Sequence, residues 1–324
     1  MIRRSLLRGA AGAAATPLLS PFARAQAFPS KPITIVAPVQ PGGILDMSAR
    51  MVSEPLGKLL NTSVIVDNRP GGNATVGYNA VLRAPADGHT LLCTSFWHVL
   101  NPSLIKNLTW SQKDFVPVAN LTASTNVITV HPSVPANTLQ ELFAYAKANP
   151  GKLSYADNGG IGSPAHIGTE MLKDITGTNI VHIPFKGSGA AIANLLSGDV
   201  HMFMTSPPSV LQHVQAGKLR ALAVTGKKRH PGLPNVPTTA EAGLKFELET
   251  WVALFASAGT PPAIVATLTS NIQKALETRE VRQRAEAQGV DVSYLSPPDL
   301  DAVIKRETAE GAAIIRKLKI SLDN

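Results

Sequence analysis

Short apolar runs rich in β-branched residues alternate with longer stretches of helical periodicity through most of the chain. The run 33–38 predicts a buried strand, and further strands are predicted at 63–68 and 89–95. A helix is predicted over 44–60, with Pro55 expected to kink or interrupt it. Because the strands are continuously apolar and separated by helices, the sequence predicts an α/β fold with a mostly parallel sheet covered on both faces.

Two long β-prone stretches without helices, at 116–130 and 246–256, divide this alternation. They predict two α/β lobes joined by two extended hinge strands, a plan typical of hinged binding proteins. Residues 26–125 and 251–324 are assigned to the first lobe and residues 126–250 to the second. At the C-terminus, two long amphipathic helices are expected on either side of a strand near residues 290–295.

Residues 1–25 have the features of an export signal. Arg3 and Arg4 precede a short apolar stretch at 6–19, and A-x-A cleavage sites stand at 23–25 and 25–27. The paired arginines are compatible with the twin-arginine route and with ordinary secretion, so both routes stay open. The sequence therefore predicts a periplasmic protein, and no later apolar run is long enough to span a membrane.

Charge and cysteine content exclude some function classes. The formal charge of +8 falls to +4 without the leader, because four of the arginines lie within it. The remaining basic residues are scattered, which argues against nucleic-acid binding. The single cysteine, Cys93, lies in an apolar run and is expected to be a buried, unreactive thiol. We expect a monomer without metal or cofactor.

The first candidate binding loop is Pro41-Gly42-Gly43, which follows a strand and precedes a helix. Ligands of open α/β sheets bind at such strand ends, and the amides of a helix N-terminus attract anions. Gly42 and Gly43 are therefore candidate ligand-binding residues. Asp46, in the first helical turn, is either a capping carboxylate or a ligand contact.

The second candidate loop spans residues 157–166 and contributes Asn158, Gly160, Ser163 and His166. Its glycines imitate a dinucleotide-binding fingerprint, but the acidic residue expected about twenty positions later is missing. Ser163 followed by proline already explains the segment as a helix start. We expect the loop to bind an anion through its amides, with His166 either donating to a carboxylate or simply packed.

Polar residues also follow two other predicted strands. Lys186, Thr205 and Ser206 offer an ammonium group and hydroxyl groups to ligand oxygens, although Lys186 is equally consistent with an ordinary surface lysine. Trp97 stands where it can form a wall of a binding cavity.

Enzyme signatures are absent from the sequence. It contains no G-x-S-x-G nucleophile elbow, no H-E-x-x-H zinc motif and no P-loop, so no catalytic residue is assigned. A hydrolase with a dispersed triad stays the less favoured alternative.

An ordered set of motifs over nearly the whole chain resembles the Bug family of substrate-binding proteins, which serve tripartite tricarboxylate transporters. The matching segments are Phe28–Ile33, Pro41–Asp46, Asp67–Gly71, Ala86–Leu91, Ile183–Gly187, Ala216–Thr225, Val236–Gly243 and Ala258–Pro261. The resemblance implies a type II periplasmic-binding-protein fold that closes on a carboxylate. It also implies that the loops at 38–46 and 158–166 hold one carboxylate, largely through amides and waters.

Three positions depart from the family pattern. Ile44 and Leu45 replace a glycine and a threonine, so the first loop is bulkier and more apolar. Thr205 replaces an acidic residue, which weakens the case for an amino-acid ligand. We expect capture of a dicarboxylate, tricarboxylate or aromatic acid, the last being suggested by Trp97. The captured acid would pass to membrane transport subunits, or alternatively to a membrane signalling protein.

Overall fold

The computed structural model describes residues 28–322, so the predicted signal peptide lies outside the described residues. The strands are β1 (Ile33–Ala37), β2 (Val64–Asn68), β3 (Thr90–Thr94), β4 (Phe115–Thr125), β5 (Val127–Val130), β6 (Ser154–Ala156), β7 (Val181–Ile183), β8 (Met202–Thr205), β9 (Arg220–Val224), β10 (Glu249–Ser257) and β11 (Asp291–Val292).

The helices are α1 (Ile44–Leu60), α2 (Thr75–Leu82), α3 (Trp97–Leu104), α4 (Leu139–Ala148), α5 (Pro164–Thr176), α6 (Ser188–Ser197), α7 (Pro207–Gln215), α8 (Pro262–Glu277), α9 (Arg279–Gln288) and α10 (Pro297–Leu318). A short 3-10 helix covers Gln112–Asp114. Within residues 28–322, none of the helices has both the length and the apolar character that crossing a bilayer requires.

The strands form two sheets. The first has the order β11-β4-β10-β3-β1-β2 and the second has the order β7-β6-β8-β5-β9. The chain passes from the first sheet to the second between β4 and β5, and it returns between β9 and β10. We call each sheet with its helices the first lobe and the second lobe.

Both sheets are mixed, whereas the sequence predicted mostly parallel pairing. Strand β1 pairs in parallel with β2 and β3, and β6 pairs in parallel with β7 and β8. The other pairings are antiparallel, chiefly because β4 and β10 carry the chain out of the first lobe and back, and therefore run in opposite directions side by side. The parallel strands of each lobe end at one edge, where their loops meet.

The predicted buried strands form the core. Ile33 and Ile35 of β1 and Leu91 and Leu92 of β3 have no exposed surface. Full burial of each such side chain contributes about 1.5–3 kcal/mol to folding. Cys93, also on β3, is fully buried, and burial raises the pKa of its thiol well above the ordinary value. The prediction of a buried thiol is confirmed.

Pro55 was expected to kink or interrupt α1. The interruption is wrong, because the helix continues through Pro55 to Leu60, whereas the kink stays a prediction. Proline removes one backbone hydrogen bond from a helix interior. Here the flanking residues Val52 and Leu56 have no exposed surface, so packing against the sheet holds the segment helical.

The prediction of two C-terminal helices is also corrected. Three helices form, because Thr278 ends α8 and begins α9. Its backbone is extended and its side-chain oxygen accepts a hydrogen bond from the N–H of Val281 at 3.3 Å. A threonine N-cap inside a periodic segment therefore marked a boundary that helical periodicity alone did not reveal.

Candidate functional site

A cavity of about 690 Å³ lies between the two lobes, where loops after the strands of both sheets meet. Its apolar lining residues are Pro38, Val39, Ile44, Leu45, Pro70, Ala74, Trp97, Pro164, Ala165, Pro184, Phe185 and Met204. Its uncharged polar side chains are Gln40, Asn73, Ser95, Asn126, Asn158, Ser188, Thr205, Ser206 and Thr250. Lys186 is the single charged side chain among the described residues that line it.

The sequence-predicted residues divide into two groups. Those that line the cavity are Gly43, Trp97, Asn158, Gly160, Lys186, Thr205 and Ser206. Those that do not are Gly42, Asp46, Ser163 and His166. The second group shapes the loops around the cavity, as the hydrogen bonds of each residue show.

The side chain of Asp46 stabilises the first loop through hydrogen bonds within the first lobe. Its carboxylate is buried, and Oδ2 accepts a hydrogen bond from the N–H of Gly42 at 3.0 Å. Its Oδ1 accepts from Nε of Arg50 at 2.9 Å. Both oxygens are therefore occupied within the first lobe, which favours the capping alternative over a ligand contact.

The N-terminus of α1 opens onto the cavity. Its N-cap residue is Gly43, which has no side chain to satisfy the first helical amides. The next two residues, Ile44 and Leu45, line the cavity with Gly43. Unpaired amides and the helix dipole make this end of the helix attractive to an anion.

The N-terminus of α6 approaches from the second lobe. Gly187 is its N-cap residue and again provides no side-chain cap. A Cβ placed on Gly43 would lie 3.8 Å from Oγ of Ser188, the first residue of α6. The two helix starts therefore face each other across the cleft. Lys186, exposed and directly before Gly187, adds a full positive charge there.

Thr205 and Ser206 stand at the end of β8, before α7, and both are buried. The first two residues of α7 are prolines, Pro207 and Pro208, which have no N–H to donate. This third helix start therefore offers hydroxyl groups to the cavity and fewer amides than the other two.

Asp157, which sequence reasoning did not select, organises the second loop. It is fully buried at the end of β6, and Oδ1 accepts from the N–H groups of Gly159 at 2.9 Å and Gly160 at 2.7 Å. Its Oδ2 pairs with Nε2 of His182. Two amides expected to bind a ligand are thus turned towards Asp157. The run Asp157-Asn158-Gly159-Gly160 was the available signal, since Asp and Asn side chains form turns with their own backbone.

Ser163 and His166 complete this loop. The side-chain oxygen of Ser163 accepts from the N–H of His166 at 3.3 Å, as the predicted N-cap does. The ring Nδ1 of His166 accepts from the N–H of Gly162 at 3.2 Å. Burial, and secondarily the nearby His182, lowers the pKa of His166 to about 4, so its ring is neutral at pH 7. The structure therefore favours the packed alternative for His166.

A further loop, at residues 71–74, was also missed as a site. Four consecutive residues, Gly71, Gly72, Asn73 and Ala74, have positive φ angles of 126°, 56°, 47° and 71°. Such backbone is uncommon for residues other than glycine and often occurs at functional sites. Asn73 donates its side-chain N–H to the carbonyl of Ile161 at 2.8 Å, which joins the two lobes across the cavity mouth. The consecutive glycines Gly71 and Gly72 were the available signal in the sequence.

Other contacts also join the lobes. Nε2 of His230 pairs with the carbonyl of Gly289 at 2.8 Å, and Lys317 pairs with Asp174. Ile167 of the second lobe packs into the core of the first. The cleft is therefore closed on several sides. Among residues 28–322, no three His, Cys, Asp or Glu side chains come together as a metal site requires.

Comparison with known proteins identifies what the chain resembles. The family model described as tripartite tricarboxylate transporter family receptor matches residues 48–320. Protein BugT of Bordetella pertussis is 35% identical over 297 residues, which cover 90% of this chain and 91% of BugT.

Two solved structures have the same fold at similar identity. The periplasmic binding protein BugD is 32% identical with a TM-score of 0.84, and the match covers 90% of this chain and 99% of BugD. Rpa4515 of R. palustris with adipate is 30% identical with a TM-score of 0.86, covering 91% of this chain and 100% of that chain. These likenesses confirm the predicted fold class, and the expected family resemblance is confirmed by the family model.

Proposed function

The chain belongs to the tripartite tricarboxylate transporter family of receptors, and from this membership we propose that it captures a small carboxylate between its lobes for uptake by membrane subunits of such a transporter. The observation that carries the proposal is the facing pair of uncapped helix N-termini, α1 at Gly43 and α6 at Gly187, with Lys186 beside them. Amides, two helix dipoles and one ammonium group all favour a negatively charged ligand there.

The charge of the lining supports an acid over an amino acid. Among the described residues that line the cavity, no carboxylate is present to pair with the ammonium group of an amino acid. Thr205 stands at the position where the family pattern has an acidic residue. A buried ammonium group without a partner would cost several kcal/mol. Rpa4515, which has the same fold, was solved with adipate, a dicarboxylate.

Capture depends on a hinge, which we place where the chain passes between the sheets. Asn126, between β4 and β5, donates its side-chain N–H to the carbonyl of Leu248 at 3.1 Å, and its Oδ1 accepts from the hydroxyl of Thr250 at 3.4 Å. Both Asn126 and Thr250 line the cavity. A ligand that touches both lobes and the hinge favours the closed form over an open one. Residues 126–250 would then move as the second lobe.

The setting follows from this role. The protein would act in the periplasm as a monomer after export, by the Sec or twin-arginine route, through its leader. Ligand would be held and released with no bond made or broken. A sensor that presents its ligand to a membrane signalling protein is the alternative within binding proteins, and a hydrolase is the alternative outside them.

The test is isothermal titration and thermal shift of the mature protein with monocarboxylic, dicarboxylic, tricarboxylic, amino and aromatic acids. A ligand at one hundred times its dissociation constant adds about 2.7 kcal/mol to the free energy of unfolding. Binding of one acid class with stoichiometry of one, and recovery of that acid unchanged by mass spectrometry, supports capture. A folded, ligand-free protein that binds none of them contradicts the proposal, and a chemically altered acid favours the hydrolase.

A further inference from the structure

His182 lies outside the cavity, yet its ring holds the residue that shapes the second loop. It is the middle residue of β7, its side chain is 16% exposed, and it is not among the described residues that line the cavity. Its Nε2–H donates to Oδ2 of Asp157, whose other oxygen accepts from the amides of Gly159 and Gly160. This hydrogen bond therefore fixes the carboxylate around which the second loop turns.

The strand that carries His182 leads directly into another part of the cavity wall. The four residues after β7, 184–187, all line the cavity, and α6 begins after them at Ser188. Strand β7 is only three residues long, lies at the edge of the second sheet and pairs with β6. Its other two residues, Val181 and Ile183, are exposed, so the side chain of His182 is the one that anchors the strand to its lobe.

Packing fixes the orientation of the His182 ring. In the parallel register His182 lies beside Tyr155, and their rings stack with centroids 5.0 Å apart and an interplanar angle of 27°. The ring of His166 packs against it too, with centroids 4.4 Å apart. Because its contacts with two buried rings restrict the side chain, its donor is already aimed at Asp157.

The same two segments of the second lobe are joined again at the cavity itself. Nδ2 of Asn158 donates to Oγ of Ser188 at 3.0 Å, and both residues line the cavity. The pair of Asp157 and His182 makes a parallel connection behind the cavity wall. It is the stronger of the two, because its acceptor is a carboxylate and hydrogen bonds to charged groups are about twice as strong as neutral ones.

We infer that His182 is a positioning residue for ligand capture, which holds the second loop and the segment 184–188 in the relative positions that the ligand requires. The inference rests on the proposed function and assigns part of the affinity to a residue that does not line the cavity. Without a donor on residue 182, the Asp157 carboxylate can turn, and the two glycine amides that it holds turn with it. Small displacements of groups that contact a ligand cost much of their effect.

Two substitutions of His182 separate its hydrogen bond from its packing. His182→Phe keeps a flat ring against Tyr155 and removes the donor, whereas His182→Gln removes the ring and keeps an N–H at about the reach of Nε2. Titration calorimetry of the full mature protein uses adipate and benzoate as probes. We expect His182→Phe to weaken binding about tenfold and His182→Gln to stay within about threefold of the wild type. A residue that acts only by filling space would give the opposite order.

The matched control is His201→Phe, at the other end of β6. Nδ1 of His201 accepts from the N–H of Ser154, the first residue of β6, at 3.1 Å, whereas Asp157 follows the last residue of that strand. The cavity lining, as far as residues 28–322 describe it, includes neither His201 nor Ser154. The control removes a hydrogen bond between a histidine ring and the same strand, and it should leave the affinity unchanged.

Hydrogen exchange gives a readout that needs no ligand. In the ligand-free mature protein, the amides of Gly159 and Gly160 should exchange about tenfold faster in His182→Phe than in the wild type. They should exchange at the wild-type rate in His201→Phe. A general loss of stability would instead speed exchange throughout the second lobe in both variants.

Two results would overturn the inference alone: His182→Phe binding as tightly as the wild type an acid that the wild type binds, or His182→Phe and His201→Phe weakening binding equally. Binding of neither probe by the folded wild-type protein would count against the proposed function itself. The exchange rates would then decide the inference, and unchanged rates at Gly159 and Gly160 in His182→Phe would overturn it.

Discussion

Asn73 of the first lobe donates its side-chain N–H to the carbonyl of Ile161 in the second, at 2.8 Å, and so joins the two sides of the cavity mouth. The hydrogen bond exists only when the lobes are together. The Asn73 carbonyl is itself held by Nδ2 of Asn101 at 2.7 Å. A ligand-dependent closure should therefore depend partly on this contact.

Replacing Asn73 with glycine should weaken ligand binding about fivefold. Glycine tolerates the positive φ of 47°, so the variant removes the cross-lobe hydrogen bond without straining the backbone. A single net hydrogen bond of about 1 kcal/mol corresponds to that factor. Titration calorimetry measures the affinity, and small-angle scattering measures how open the ligand-free protein is.

The matched control is Asn61→Gly. Asn61 also has a positive φ, 50°, and ends α1 at an exposed position in the first lobe. It should leave affinity and scattering unchanged. Equal affinity of the Asn73 and Asn61 variants would show that the cross-lobe contact does not support closure.

Removing the Asp157 carboxylate should both destabilise the protein and weaken binding. Asp157→Ala leaves the amides of Gly159 and Gly160 and the ring of His182 without their acceptor, which should lower the free energy of unfolding by about 2–4 kcal/mol. Asp157→Asn keeps one acceptor oxygen and should lie between this variant and the wild type. Urea denaturation measures the loss.

The control for Asp157 is Asp199→Ala, in the same lobe. Asp199 is exposed and accepts a hydrogen bond from Ser197, two positions before it. Its removal should change stability by less than about 0.5 kcal/mol. If Asp157→Ala proved as harmless, the second loop would not depend on this carboxylate.

The sequence predicted the helices and strands well because buried positions recur with the period of each element and are occupied by apolar residues. The helix at 139–148 has its predicted bounds, and the strand over 33–37 lies one residue short of its prediction. Pairing direction was harder, because parallel and antiparallel strands leave the same apolar pattern when both faces are covered. The split at Thr278 was missed because the apolar periodicity resumes after the new cap.

The sequence predicted the site residues whose backbone lines the cavity. It missed the residues whose side chains hold the surrounding loops in place through hydrogen bonds. Glycine pairs identified Gly43 and Gly160, since the absence of a side chain is visible in the sequence. Asn73 donates to Ile161, 88 positions away, and Asp157 pairs with His182, 25 positions away. No local pattern records these distant partners, although the turn that Asp157 forms with Gly159 and Gly160 is local. Whether the lining residues bind ligand stays a prediction.

Cys93 should not react with a thiol reagent while the protein is folded. Its side chain is fully buried, and burial raises the pKa of the thiol, so almost no thiolate forms at pH 8. Because it is the only cysteine, reaction with Ellman's reagent reports unfolding directly. Stoichiometric reaction within seconds under native conditions would mean that β3 is open to solvent.

Acidification should destabilise the protein between pH 6.5 and pH 4. Burial lowers the pKa of His166 to about 4 and that of His98 to about 3, whereas both titrate near 6.5 in the unfolded chain. Between those values the unfolded chain binds protons that the folded protein does not, so stability falls as the pH falls. The expected loss at pH 5 relative to pH 8 is roughly 2 kcal/mol for each histidine.

Urea denaturation at the two pH values measures this loss. His166→Asn keeps a hydrogen-bond acceptor near the N–H of Gly162 and removes the titrating ring, so its loss at pH 5 should be about half that of the wild type. Equal wild-type stability at pH 5 and pH 8 would mean that both rings bind protons as readily in the folded protein as in the unfolded chain.

Gly43→Ser should separate stability from binding. At φ −86° and ψ 169° the backbone of Gly43 is already extended, as a serine N-cap requires, and a Cβ there would contact Oγ of Ser188 at an ordinary 3.8 Å. A serine would accept hydrogen bonds from the first amides of α1, stabilising the fold by a few tenths of a kcal/mol. Those same amides would then be lost to the ligand, so affinity should fall about tenfold in calorimetry.

Gly189→Ser, in open space near the start of α6, is the control and should bind as the wild type does. Unchanged affinity in the Gly43 variant would remove the N-terminus of α1 from the binding site.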